Sequence, residues 1–127
     1  MANVSIIGSG TWGMALSLLL YKKGHTVKVW SAIQDEVDML REKREHDSKL
    51  PGVKLPDDMD ITADLEKCLK SVDVAVLAVP SPFTRSTAHQ MKPYVKDGQI
   101  IVNVAKGVEE NSLMTLSEII EQEIPQA

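Results

Sequence analysis

The chain has 127 residues, 43% of them hydrophobic and 25% charged, with a formal net charge of −4. That is the size and balance of one soluble globular domain, and it excludes a disordered tail, a collagen-like chain and a disulfide scaffold. The single cysteine, Cys68, excludes an internal disulfide and a cysteine-cluster metal site and fits a reducing compartment. The acidic balance argues against a nucleic-acid partner. Met14 to Leu20 is apolar but too short to span a bilayer, and no Lys or Arg precedes it as in a signal peptide. The expectation is a cytoplasmic protein with no membrane insertion.

In chain order, Val4-Ser5-Ile6-Ile7 is short, β-branched and closed by Gly8, and predicts a buried strand. Thr11 to Lys23 predicts a helix with Gly24 beyond its end; Met14, Ala15, Leu18 and Leu19 are its expected inner face. Thr26 to Trp30 is a second strand. Asp35 to about His46 is a charged surface helix with Val37 and Leu40 inward. Leu50 to Asp58, with Pro51-Gly52 and Pro56, is a loop.

Ile61-Thr62 predicts a short strand, and Asp64 to Lys70 a short helix starting at Thr62 or Ala63. Val72 to Val79 is apolar almost throughout, as a strand covered on both faces should be. Ser81 suits an N-cap and Pro82 the first position of a helix to about Met91. Gln99 to Val104 is another strand. Ser112 to about Glu123 is a last helix, with Asn111 or Ser112 as cap and Glu118 near its middle. Strands alternating with helices predict a doubly wound parallel α/β sheet. The chain stops after a helix, where such a sheet normally adds a strand, so the expectation includes a truncated domain with an open edge and uncovered apolar surface.

Gly8-Ser9-Gly10-Thr11-Trp12-Gly13 matches G-x-G-x-x-G, placed where a strand ends and a helix opens. Gly8 serves the tight turn, Gly10 lets backbone approach a pyrophosphate, and Gly13 lets the helix pack on the sheet. Free amides at the helix start favour the anion. The acid expected about 20 residues on, for the ribose hydroxyls, is missing. Trp30 is followed by Ser31, Ala32 and Ile33, and Asp35 is too far into the next helix.

Together with Leu50 to Pro56 (LPGVKLP), Ala78-Val79-Pro80-Ser81 and Lys106-Gly107-Val108-Glu109, the glycine loop resembles the cofactor domain of NAD(P)-dependent glycerol-3-phosphate dehydrogenases. The resemblance covers the whole chain. It implies a Rossmann-type NAD(P)-binding domain over residues 1–127, cut before its last strands, with a C-terminal helical substrate domain absent. It implies NAD or NADP as cofactor and interconversion of dihydroxyacetone phosphate and sn-glycerol 3-phosphate, which feeds phospholipid synthesis.

By the same resemblance Gly8, Ser9, Gly10, Thr11, Trp12, Gly13, Pro80, Phe83 and Lys106 border the cofactor, and Lys106 also reaches the substrate. The family's acid/base lysine lies in the absent domain, so no catalytic residue is expected here. A homodimer is compatible with the resemblance. At Ser31-Ala32-Ile33 the chain departs from the basic pair of many bacterial members, which argues for NAD(H) bound at least as well as NADP(H). Lys106 also follows the carboxyl end of a strand, where open parallel sheets bind ligands.

His25, His46 and His89 show no metal spacing and read as solvated; Asp57, Asp58 and Asp60 lack the rest of a calcium loop. Cys68 reads as core. Arg85 is placed either at the cleft or on the surface. The alternatives are another two-domain dehydrogenase, such as a ketopantoate reductase or 6-phosphogluconate dehydrogenase, and a free-standing NAD(H)-binding or sensing module.

Overall fold

A computed structural model describes residues 2–8, 11–44, 55–56, 59–79, 81–104 and 115–126. Five parallel strands form one sheet: β1 (Asn3–Ile7), β2 (Thr26–Trp30), β3 (Asp60–Thr62), β4 (Val74–Leu77) and β5 (Ile100–Asn103). Their order is β3-β2-β1-β4-β5. Between and after them run α1 (Thr11–Lys22), α2 (Gln34–Lys43), α3 (Leu65–Leu69), α4 (Thr84–Met91) and α5 (Leu116–Glu123). This is the doubly wound, Rossmann-type arrangement that the alternation predicts.

Strand alternation sorts the core into two layers. Val4, Ile6, Val27, Val29, Ile61 and Val76 point to one face, where Met14 of α1 and Val37 and Leu40 of α2 cover them. Ile7, Trp30, Ala75 and Leu77 point to the other, against Leu65 and Cys68 of α3, Ala88 and Met91 of α4 and Ile120 of α5. Ile6, Ile7, Met14 and Leu40 are fully buried. Each such side chain contributes about 1.5–3 kcal/mol by leaving water. Two polar groups inside this core are paired: the Trp30 indole N–H donates to the Ala63 carbonyl at 3.0 Å, and the Ser5 hydroxyl donates to the Cys68 carbonyl.

The inner face of α1 differs from the expected one. Met14 and Ser17 are buried and Leu18 half-buried, but Ala15 and Leu19 face outward. Ser17 is admitted because its hydroxyl donates to the Met14 carbonyl at 2.7 Å. A run of apolar residues fits two adjacent stripes, and only docking on the sheet chooses one. The strand ladder of β4 is shorter than the apolar run that announced it. Val72 and Val79 are buried but lie outside the ladder, since burial and pairing are separate conditions.

Three helix starts are also corrected. Asp64 caps α3, its side chain accepting from the Glu66 N–H at 3.0 Å. Residues 81–83 form a single 3-10 turn, so α4 begins at Thr84 and not at Pro82. Thr115 caps α5: its hydroxyl accepts from the Glu118 N–H at 3.2 Å, and the Glu118 carboxylate accepts from the Thr115 N–H at 3.4 Å. That reciprocal pair is a capping box, with Glu118 in the first turn instead of mid-helix. The expected caps Asn111 and Ser112 lie outside the described residues.

β5 is an edge strand with one poorly covered side. Ile100 is 58% and Val102 42% exposed, on the face that α1 and α2 cover elsewhere. Among the described residues β5 thus ends the sheet, and Ile100 and Val102 are exposed apolar surface. The side of β5 facing α5 is better covered, with Ile101 packed against the second core layer. Helix α5 is locked to α4 by polar contacts. Arg85 donates to Glu123 Oε2 at 2.7 Å and to Gln122 Oε1 at 2.6 Å, and His89 Nδ1 lies 3.2 Å from Glu123 Oε1.

The hydrogen bonds from Arg85, then His89, hold the Glu123 carboxyl below its ordinary value of 4.5. A carboxylate whose pKa is depressed by folding stabilises the fold above its unfolded value, and that contribution is lost as pH falls through the folded value. We expect the wild type to lose stability below about pH 4.5 more steeply than Glu123→Gln. Urea midpoints measured from about pH 7 to about pH 3 check this, and identical profiles for the two proteins would contradict it.

Candidate cofactor site

The carboxyl ends of four strands come out side by side. The Gly8 N–H donates to the Trp30 carbonyl at 2.9 Å, Ala78 N–H to Ile7 at 2.9 Å, and Val104 N–H to Leu77 at 3.1 Å. Chain order reverses between β1 and β4, since β2 and β3 lie on one side of β1 and β4 and β5 on the other. Such a switch point opens a crevice beyond the strand ends, where doubly wound sheets bind ligands.

Two glycines shape that crevice. Gly8 has φ +128°, a conformation that L side chains rarely adopt. A Cβ on it would lie 2.7 Å from the Ala78 carbonyl oxygen. A Cβ on Gly13 would lie 2.2 Å from the Gly8 carbonyl oxygen, so the first turn of α1 sits directly on the end of β1. The first turn of α1 carries no acidic residue to compete for its free amides. This cradle fits an anion such as a pyrophosphate, because the first-turn amides of a helix lack intrahelical acceptors and the positive end of this twelve-residue helix lies there.

The other expected residues divide as follows. Thr11 and Trp12 open α1 with their backbone; their side chains, and Ser9, Gly10, Pro80 and Lys106, lie outside the described residues, as does 50–54 of the LPGVKLP loop. Phe83 is 58% exposed, in the turn that leads from the exit of β4 into α4. The next side chain, Thr84, is fully buried, and its hydroxyl has no hydrogen-bond partner among the described residues.

Other candidates are placed away from the crevice. Arg85 is committed to α5. His25 is half-buried and accepts from the Ala2 N–H at 3.0 Å, so it is not simply solvated; His89 is exposed as expected, with Nδ1 beside Glu123, and His46 is outside the described residues. Burial pushes the Cys68 thiol up to about 12, leaving it protonated and unreactive. Among the described residues no group of three or more His, Cys, Asp or Glu could hold a metal. None of their helices is long and apolar enough to cross a membrane.

The sequence reading missed one polar group beside the crevice. Glu36, in the first turn of α2, accepts from the Ser31 hydroxyl at 3.0 Å, which returns a carboxylate to the end of β2. A serine at the strand exit followed by an acid in the next helical turn was the available signal.

The family model for the N-terminus of NAD-dependent glycerol-3-phosphate dehydrogenase matches residues 3–127. The chain belongs to this family. It is similar to a glycerol-3-phosphate dehydrogenase [NAD(P)+] of Agathobacter rectalis, 60% identical over 125 residues, covering 98% of this chain and 37% of that protein. One from Fusobacterium nucleatum is 46% identical over 124 residues, again 98% of this chain and 37% of that protein. The crystal structure of glycerol-3-phosphate dehydrogenase from Coxiella burnetii superposes with a TM-score of 0.90 at 31% identity, covering 98% of this chain and 38% of that one. The chain thus spans little more than a third of the length of these relatives.

The family's glycine loop has here a packing cause at both ends. We expect Gly13→Ala to destabilise the domain by about 1–3 kcal/mol, because backbone must yield to backbone. Denaturant unfolding of variant and wild type measures this; an unchanged midpoint would show that α1 can lift off Gly8 freely.

Proposed function

We propose that residues 1–127 are the NAD(P)-binding domain of an oxidoreductase that interconverts dihydroxyacetone phosphate and sn-glycerol 3-phosphate. The remainder of such an enzyme supplies a C-terminal substrate domain. The observation that carries this reading is the Gly8–Gly13 contact, which sets the start of α1 over the strand ends at the switch point in a chain of this family.

In this reading the backbone of residues 8–13 binds the pyrophosphate, with Gly10 giving the close approach. Thr11, Trp12, Pro80 and Phe83 border the nicotinamide half. Lys106 supplies an ammonium that holds the substrate, hydrogen-bonding the oxygen on which negative charge grows. A nicotinamide held there would supply the hydride chemistry, giving a hydride to the substrate carbon in one direction and taking it in the other. The proton for that oxygen comes from a positioned acid outside this domain. The setting is cytoplasmic, the product feeds phospholipid synthesis, and two chains assemble as a homodimer.

Binding and turnover are tested separately. The Gly10→Val variant should lose NADH binding while keeping its unfolding midpoint, since a side chain there blocks backbone approach. Superimposable calorimetric titrations of variant and wild type would overturn the pyrophosphate assignment. In the full natural chain carrying this domain, Lys106→Ala should lower kcat/KM for dihydroxyacetone phosphate about a hundredfold or more. Residues 1–127 alone should show no turnover, because orienting substrate against cofactor supplies about 7–11 kcal/mol in well-aligned reactions and half the cleft is elsewhere. Full activity of residues 1–127, or of Lys106→Ala, would reassign these roles.

A further inference from the structure

We propose that the amino edge of the sheet, opposite the crevice, is a basic face that docks on an anionic lipid surface. The domain then sits on the membrane without entering it, its crevice turned away. This goes beyond the dinucleotide reading and does not depend on it. All five strands are parallel, so the chain approaches the start of every strand at one edge of the sheet. Lysines gather on these approaches: Lys22 and Lys23 before β2, Lys67 and Lys70 before β4, Lys92 and Lys96 before β5. All are exposed, and among the described residues none of them is in an ion pair. The acids described beside them are Asp73, whose carboxylate accepts from the Asn3 N–H at 2.8 Å, and Asp97.

A lysine at a helix end ordinarily answers the last carbonyls and the negative end of the dipole. Here other groups take those carbonyls. After α1 the Gly24 and His25 N–H groups donate to the Tyr21 and Leu20 carbonyls at 3.0 and 3.1 Å. At α3 the Lys28 ammonium donates to the Lys70 and Lys67 carbonyls at 2.9 and 3.3 Å. After α4 the Gln126 side-chain amide donates to the Lys92 and Val95 carbonyls at 2.9 and 3.4 Å. The edge ammonium groups are thus left for an external anion.

Their layout selects a lipid surface among polyanions. The row runs from β2 to β5, about 15 Å at ordinary strand spacing, which suits a plane of headgroups better than a single phosphate. It consists of lysines, point charges without the guanidinium fork that reads nucleic-acid phosphates. Tyr94 is 43% exposed, in a 3-10 turn with no buried residue between Lys92 and Lys96, and a phenol ring suits the membrane–water boundary. A cavity of about 350 Å³ lined by Tyr21, Gly24, His25, Thr26 and Val27 opens beside Lys22 and Lys23, roomy enough for a headgroup. Acids open the helices at the other edge, with Asp35 in α2, Glu66 in α3 and Glu118 in α5. A negative surface therefore attracts the amino edge and repels the opposite one, although the whole chain carries −4.

The test is flotation of the full natural chain with vesicles of phosphatidylglycerol and phosphatidylcholine in equal parts, and with vesicles of phosphatidylcholine alone. Wild type should partition to the anionic vesicles about tenfold or more above the neutral ones at about 0.05 M salt. Raising salt to about 0.5 M should remove most of that difference, because screening weakens the attraction. Lys22→Glu combined with Lys70→Glu should lower the partition about tenfold or more, whereas Lys22→Arg with Lys70→Arg should keep it. Equal partition of wild type to both vesicles, or an unchanged partition of the glutamate variant, would overturn the proposal. Tighter binding to polyuridylate than to the anionic vesicles would assign the edge to nucleic acid and overturn the lipid reading. The lipid and salt series use wild type alone, so a misfolded variant cannot hide the answer.

Discussion

The contact between Gly13 and the Gly8 carbonyl is the constraint on which the site depends. A methyl group at Gly13 would come within 2.2 Å of that oxygen. Without the contact, α1 would stand off from the end of β1, and its first amides would no longer point across the strand ends. The same glycine loop presses on the exit of β4, where a Cβ on Gly8 would meet the Ala78 carbonyl. One compact turn thus joins the first helix, the first strand and the fourth strand. The glycine fingerprint and the packing of the domain share a single set of close approaches.

The two core layers hold that turn from both sides. Ile6 and Met14 fill the layer under α1, while Ile7 and Leu77 fill the layer under α3 to α5. Because side chains alternate along a strand, each residue of β1 commits to one layer, and a slip of one residue would exchange them. The sheet is well covered at its centre and less so at β5. Ile100 and Val102 remain largely in solvent there, in a chain little more than a third as long as its relatives. Apolar edge surface of that kind favours pairing or covering by further protein.

Charge is distributed according to the same plan. Arg85 and Glu123 tie α4 to α5 away from the crevice, and Cys68 is sealed beneath β1 by its own burial. At the strand ends the first turn of α1 is free of acids, whereas the first turn of α2 has two. The positive end of the first helix is therefore not offset by acids of its own first turn, while that of the second is.

Much of this was legible before any coordinates. Short β-branched runs, helix-period segments and a glycine fingerprint at a strand–helix junction are local signals. They determined the order of elements, the parallel sheet, the family and the burial of Cys68. The capping box at Thr115 and Glu118 was equally local and was misplaced only because neighbouring polar residues competed for the cap. Other features belonged to the tertiary structure alone. Which stripe of α1 faces inward depends on the sheet beneath it; where Arg85 turns depends on Glu123, thirty-eight residues away. Glu36 reaches the end of β2 only because α2 folds back on the strand exit. For the α1 stripe and for Arg85 the deciding partner is distant in sequence, so spacing along the chain carries no trace of the contact; the Ser31–Glu36 pair is only five residues apart and did leave a local signal.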